Sequence, residues 1–320
     1  MLGYVLIDFD GSVLTSEERE RLQHPAVAGA VLFSRNYQST SQLRELTQSI
    51  MKIKPNAIVA VDHEGGRVQR FHAGFTKLPA MRKWGSDYTE SKQPTLQRLD
   101  ALITTMVFEL QSCGVNVNLS PVLDIDAGLS DIIGSRSLSD NAGDVIRLGE
   151  RVISQMNQLG MPAVVKHFPG HGRVRADSHL ELPVDQRSLS EVMSSDMQPF
   201  LKLQSLYSAL MPAHIVFPEI DVMPVTFSQF WIRDFLRCQL GYQKLIMTDD
   251  LTMQAAGSVG SYADRAQLAL SAGCDILLAC NCPEGVIEIL DQVAVPKDDS
   301  RDRRVAEFLS QIKNNSRLML

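Results

Sequence analysis

Eight short runs of apolar and β-branched residues recur along the chain, at 4–9, 29–33, 57–61, 115–119, 163–166, 208–211, 245–248 and 275–279, with helix-patterned segments between them. That alternation is the sequence form of repeated βα units around a parallel sheet. Each run is almost wholly apolar, as a strand covered on both faces must be. Eight of them predict an α/β fold of one kind, a single (β/α)8 barrel of the TIM type. Helical spacing is clearest over 41–54, 96–113, 144–159, 189–203, 229–240 and 262–272. Four of these segments stop at a glycine, Gly114, Gly160, Gly241 and Gly273, where a left-handed residue ends a helix at little steric cost. The 320 residues exceed the ~250 of a minimal barrel, yet no low-complexity linker interrupts them. One catalytic domain over 1–320 is therefore expected, with 296–320 as a polar terminal helix or tail.

Composition narrows the class of partner. With 31 Lys+Arg against 37 Asp+Glu, the net charge of -6 provides no basic stripe for a nucleic-acid backbone. The opening MLGYVLIDFDG has neither the basic start nor the long apolar stretch of a secretory signal, and no run reaches the ~20 apolar residues of a membrane helix. A cytoplasmic protein without membrane contact is the expectation. The 5 cysteines are an odd number at low density, which suits a reducing compartment. Cys280 and Cys282 form a C-x-C with no second pair elsewhere, so they are read as core thiols and not as metal ligands.

Polar residues gather just past the C-terminal ends of the predicted strands, among them Asp8, Arg35, Asp62, Asp124, Lys166, His167, His214, Asp249, Asp250 and Asn281. Barrel enzymes keep their chemistry on that rim, because the scaffold holds side chains from many strands around one mouth. Three segments stand out. Lys166-His167-Phe168-Pro169-Gly170-His171-Gly172 is followed by Asp177-Ser178-His179. Its proline and glycines forbid a helix, so the chain leaves its strand into a loop. Asp177 and His179, two apart, could form a dyad in which the carboxylate orients the imidazole and favours its cation, or could be incidental loop polarity.

The second segment, Leu245 to Leu251, is an apolar strand ending in Asp249 and Asp250. Side chains alternate along a strand, so one of the two acids should face the barrel axis. Asp249 is the candidate nucleophile, whereas Asp250 suits a helix N-cap. The third is Asp62-His63-Glu64-Gly65-Gly66-Arg67-Val68-Gln69-Arg70. A carboxylate and a guanidinium suit a polyhydroxylated ligand, since one accepts from hydroxyls and the other offers a fork of donors. The glycine pair lacks the spacing of a nucleotide-binding loop. His167, His171, Asp177 and His179 also have the composition of a zinc site, but Lys166 beside them would repel a dication. The site-residue expectation is therefore without metal and without cofactor.

Together these segments resemble glycoside hydrolase family 3, in that family's order and spacing from about residue 3 to residue 285. They are most similar to its single-domain bacterial β-N-acetylglucosaminidases (β-hexosaminidases) of peptidoglycan recycling. The resemblance implies Asp249 as catalytic nucleophile, His179 as general acid/base and Asp177 as its partner. It implies Asp62, Arg70, Arg136, Lys166 and His167 as sugar-binding residues. Its implied substrates are N-acetylglucosamine-anhydro-N-acetylmuramyl peptides, handled by a cytoplasmic monomer that serves cell-wall biogenesis and, through it, cell shape, the cell cycle and cell division. Two positions depart from the pattern: Ser135 precedes Arg136 where relatives often carry Glu, and Thr248 precedes Asp249 where Ser is common. The second α/β domain of many larger members is lacking, which suits an acid/base supplied by the barrel's own loop.

Other readings of the same residues are a family 3 β-glucosidase, a glycoside phosphorylase, a metal-dependent barrel hydrolase, and a silent barrel that only binds sugar. Turnover of a chromogenic N-acetylglucosaminide, its phosphate dependence and its sensitivity to chelator separate them.

Overall fold

The computed structural model describes residues 3–130, 132–175, 182–294 and 298–312. Its main sheet is built from β1 (Val5–Ile7), β2 (Val27–Leu32), β3 (Ile58–Val61), β6 (Val117–Asn118), β7 (Val164–Phe168), β8 (Ala209–Pro212), β9 (Leu245–Asp250) and β10 (Ile276–Leu278). The hydrogen-bonded order is β6-β3-β2-β1-β10-β9-β8-β7, every described pairing is parallel, and β1 and β10 lie side by side. The two ends of that order meet beyond β6. There Val164 N–H donates to Ser120 O at 3.0 Å and Leu123 N–H to Lys166 O at 2.8 Å, which joins residues 120–123 to β7 and makes a (β/α)8 barrel.

The period of two along each strand divides the apolar residues into two cores. Val5 and Ile7 pack outward against the helices while Leu6 points inward. On β9, Leu245 and Met247 fill the barrel interior and Ile246 faces the helix layer. Continued upward, the inward rows of several strands become polar: Ile58 and Ala60 lead to Asp62, Val164 to Lys166, and Leu245 and Met247 to Asp249. The floor of the mouth is thus the top layer of the barrel's own filling, so functional side chains stand on the most rigid part of the fold.

The eight predicted runs coincide with the eight barrel strands to within about two residues at either end. Gly114, Gly160, Gly241 and Gly273 all have positive φ, from 65° to 115°, as helix-ending residues should. Two helical predictions need correction. The single helix expected over 189–203 is two, Leu189–Ser194 and Gln198–Leu203, because the buried carboxylate of Asp196 is drawn out by Arg173 and Arg187. The segment Phe230–Gln239 is wound more widely than an α-helix, as a π-helix.

The sequence reading also missed an antiparallel hairpin, β4 (His63–Gly65) with β5 (Val68–Gln69), which follows β3 directly. Gly65 and Gly66 form its tight end with φ of 110° and 59°. A Cβ on Gly65 would lie 2.4 Å from Pro79 O, so these glycines serve a turn and a close backbone approach. Asp299–Gln311 forms a helix near the end of the chain. Among the described residues, no helix is long and apolar enough to cross a membrane.

Candidate active site

A cavity of about 310 Å³ opens at the C-terminal ends of the strands, and Asp62, Arg70, Arg136, Lys166, His167 and Asp249 all line it. Six of the eight residues singled out in the sequence are thereby brought to one mouth. The other two, Asp177 and His179, lie outside the described residues.

Lys166 is the centre of one side. Its ammonium, almost wholly buried, donates to Asp62 Oδ1 at 2.6 Å and lies 2.7 Å from Glu64 Oε1. Glu64 in turn receives Arg136 in a two-pronged contact, Nε to Oε2 at 2.8 Å and Nη2 to Oε1 at 2.7 Å. Arg70 Nη2 reaches Asp62 Oδ2 at 3.4 Å. Three cations and two carboxylates therefore hold one another in fixed orientations. Planar bidentate pairing of this sort gives direction as well as attraction.

The hairpin explains the geometry. Successive side chains of β4 point opposite ways, so Glu64 turns to the mouth while His63 turns away. The ring of His63 packs against Phe71 and Phe75, with centroids 5.7 and 5.6 Å away. His63 stands in the Asp62–Arg70 motif but does not line the cavity. It belongs instead to a buried aromatic cluster, where burial pushes its pKa down to about 4, with the charges of His72 and Arg70 acting in the same direction.

Charge in the network follows from these distances. Burial acts to lower the Lys166 pKa, but Asp62 and Glu64 outweigh it and the ammonium titrates above its ordinary range. Burial also opposes ionisation of Glu64 and Asp62. Arg136 and Lys166 overcome it for Glu64, and Lys166 and Arg70 for Asp62, so both carboxyls fall below their usual values. This ion-pair network is thus ionised, with Asp62 and Arg70 partly open to the cavity. Fixed donors and acceptors beside one another are what hydroxyl-rich ligands require.

The facing wall is built on Asp124, which is fully buried. Its Oδ2 lies 2.7 Å from His167 Nδ1, and its Oδ1 accepts the backbone N–H of His171 at 2.8 Å and that of His167 at 3.2 Å. One carboxylate thereby fixes both the ring of His167 and the start of the loop that follows β7. The peptide bonds Lys166–His167 and Phe168–Pro169 are both cis.

Asp249 enters from β9 on the inward row. Its Oδ1 accepts the N–H of Asp250 at 2.8 Å. Burial pushes this carboxyl up, but His167, His214, the N–H of Asp250 and Lys166 together leave it below the usual carboxylate range. A half-buried, ionised carboxylate at the mouth is the chemical result. Asp250 differs from the expectation that only one acid would reach the mouth, because it lines the cavity too. The strand ends there, and Asp250 Oδ1 takes the N–H groups of Thr252 and Cys280, each at 3.0 Å, which clips β9 to the end of β10. Burial pushes this second carboxyl up to about 7. Two adjacent acids are thereby driven apart in acidity by their surroundings.

Sequence reasoning quoted Glu64 and Asp124 but gave them no role. Their partners, Arg136 and His167, lie 72 and 43 residues away, so only the fold reveals the pairing. Cys280 is buried beneath the mouth, where burial pushes its thiol well above its ordinary pKa. Among the described residues, no group of three or more His, Cys, Asp or Glu side chains has the arrangement to hold a metal ion.

Comparison with known proteins points the same way as the residues. Residues 6–308 match the model of the glycosyl hydrolase family 3 N terminal domain. The chain is 42% identical over 308 residues to a beta-hexosaminidase of Neisseria meningitidis serogroup A, across 94% of this chain and 84% of that protein. It is 44% identical over 311 residues to a beta-hexosaminidase of Thioalkalivibrio sulfidiphilus, across 96% and 89%. The crystal structure of native NagZ from Neisseria gonorrhoeae superposes with a TM-score of 0.90 at 40% identity, covering 98% of this chain and 90% of that one. NagZ from the same organism in complex with N-trifluoroacetyl-D-glucosamine gives a TM-score of 0.90 at 40% identity, covering 96% and 90%. With the family's motifs on the ends of the barrel strands and its model matched over nearly the whole length, the chain belongs to glycosyl hydrolase family 3.

Proposed function

We propose that this chain is a retaining exo-β-N-acetylglucosaminidase that releases terminal non-reducing N-acetylglucosamine from muropeptide fragments, as a cytoplasmic single-domain monomer in peptidoglycan recycling. The observation that carries the reading is the convergence of ionised Asp249 with Asp62, Arg70, Arg136, Lys166 and His167 on one cavity. The relative that holds N-trifluoroacetyl-D-glucosamine supports an N-acylated sugar as the bound unit.

In the first step an Asp249 oxygen bonds to the anomeric carbon as the glycosidic C–O bond breaks, and the leaving oxygen takes a proton from the His179 imidazolium. In the second, water attacks that carbon, gives its proton to His179 and releases the Asp249 carboxylate. Atoms and charge balance without a redox group, and two inversions retain the β configuration. Usual retaining enzymes place a second carboxylic acid where this scheme uses an imidazole. Asp177, two residues before His179 in the sequence, is the proposed partner that orients its ring and favours its cation.

The test is turnover of a chromogenic N-acetyl-β-glucosaminide, followed by trapping with a 2-fluoro glycosyl donor and peptide mapping. Label on Asp249 is the expected result. Label on any other residue, or a wild-type protein that neither turns over nor is trapped, overturns the proposal.

A further inference from the structure

Among the polar side chains that line the cavity, His171 takes part in neither the ion-pair network nor the proposed two-step reaction. His171 is 3% exposed and lines the cavity, yet among the described residues neither Nδ1 nor Nε2 has a hydrogen-bond partner. Its buried neighbours there are paired: Lys166 with Asp62 and Glu64, and His167 with Asp124. The position of His171 is nevertheless fixed from behind, since its backbone N–H donates to Asp124 Oδ1 at 2.8 Å. Its ring meets that of His167 edge to face, with centroids 5.8 Å apart and planes at 71°.

Burial, with the charge of His167 beside it, holds the imidazole neutral down to about pH 4. A neutral imidazole offers one donor and one acceptor. Leaving both idle inside a protein is costly, and such exceptions persist where a ligand uses them. Neutrality suits a sugar hydroxyl or amide, which both gives and takes a hydrogen bond. An imidazolium would offer donors only, and would add charge beside Lys166 and His167.

We infer that His171 is a further substrate-binding residue, whose imidazole hydrogen-bonds a polar group of the glycosyl unit held in the cavity. This rests on the reading of the cavity as a sugar site. His171 supplies neither nucleophile nor proton, so its contribution is to binding and orientation.

The test uses the full chain with ¹⁵N-labelled histidine, titrated with N-acetylglucosamine and followed at the ring nitrogens, His171 being assigned by its absence in His171→Gln. The expected result is a shift of the His171 ring resonances that saturates with the sugar. In parallel, His171→Phe should lose roughly 10- to 100-fold in sugar affinity and in kcat/KM, the loss of one or two buried hydrogen bonds. His171→Gln, which keeps an amide donor and acceptor, should recover part of it. Ring resonances that stay still at saturating sugar, or a His171→Phe protein within twofold of wild type, overturn the inference while leaving the sugar site intact. A wild type that neither binds nor turns over N-acetylglucosaminides overturns the sugar site itself, and His171's role with it.

Discussion

Glu64 Oε1 lies 2.7 Å from Lys166 Nζ, and each side chain is all but closed to solvent. The same carboxylate holds Arg136 through both of its oxygens. Replacing Glu64 with Gln keeps the shape but leaves two buried cations sharing little more than Asp62. Removing one member of a buried pair costs about 3–5 kcal/mol, because the remaining charge has lost its compensation. Glu64→Gln should therefore lower the free energy of unfolding by an amount in that range, read as a fall in the urea midpoint at unchanged m, and raise KM for an N-acetylglucosaminide. An unchanged midpoint would mean that water, and not Glu64, neutralises Lys166.

The proposed role of His179 makes a prediction about leaving groups. An activated phenol departs without a proton, whereas a sugar alcohol does not. His179→Ala should cost roughly 10²- to 10⁴-fold in kcat/KM with an unactivated disaccharide, the span typical of general acid catalysis. With a nitrophenyl glycoside the loss should be much smaller. Equal slowing of both substrates would show that His179 acts in some other way.

Much of this was legible in the sequence because the barrel has a strict local code. Inward residues recur at every second position, so the row Leu245, Met247, Asp249 can be followed from core to mouth before any coordinates are known. What was not legible depends on contacts between distant residues. The spacing of Gly65 and Gly66 argues against a nucleotide-binding loop without showing what they do, which is to close a hairpin whose alternation turns Glu64 inward and His63 outward. His63 N–H and C=O are then completed by the side-chain amide of Asn118, 55 residues away. The apolar spacing over 189–203 continues through the break at Asp196, since periodicity does not register a carboxylate pulled aside by Arg173 and Arg187.

His63 gives a stability prediction with a definite sign. Its pKa falls from 6.5 to about 4 on folding, so between those values the unfolded chain binds a proton that the folded one refuses. Stability is lost as pH drops through that window, by about 3 kcal/mol at ~1.4 kcal/mol per pH unit. Asp250, raised to about 7, works the other way, losing stability as pH rises from 3.8. Comparing wild type with His63→Phe cancels the Asp250 contribution. The variant, whose ring still packs on Phe71 and Phe75, should gain on wild type by up to that amount between pH 6.5 and pH 4 in urea unfolding. A pH-independent difference would place His63 in contact with water.

The loop after β7 offers a test of how tightly catalysis depends on loop position. A Cβ on Gly172 would stand 1.7 Å from Ile125 O and 2.8 Å from Ile125 C. Both are backbone atoms on the segment leading from Asp124, so no flexible side chain can yield. Gly172→Ala must push the loop away, and this loop leads toward residues 177 and 179. Misplacing a catalytic group by about 1 Å costs on the order of 10²-fold. Asp62 and Arg70 are set by β3 and the β4–β5 hairpin, and Lys166 by β7 ahead of the loop, so all three should hold the sugar as before. Gly172→Ala should thus lower kcat about 10²-fold, while affinity for N-acetylglucosamine falls no further than in His171→Phe, since His171 is the loop's own contact with the sugar. Gly11→Ala, whose added Cβ meets nothing within 4 Å, is the control and should change neither. Were Gly172→Ala to lose affinity as His171→Phe does and keep kcat, the loop would serve only as a wall of the sugar site, and the acid/base would have to come from elsewhere.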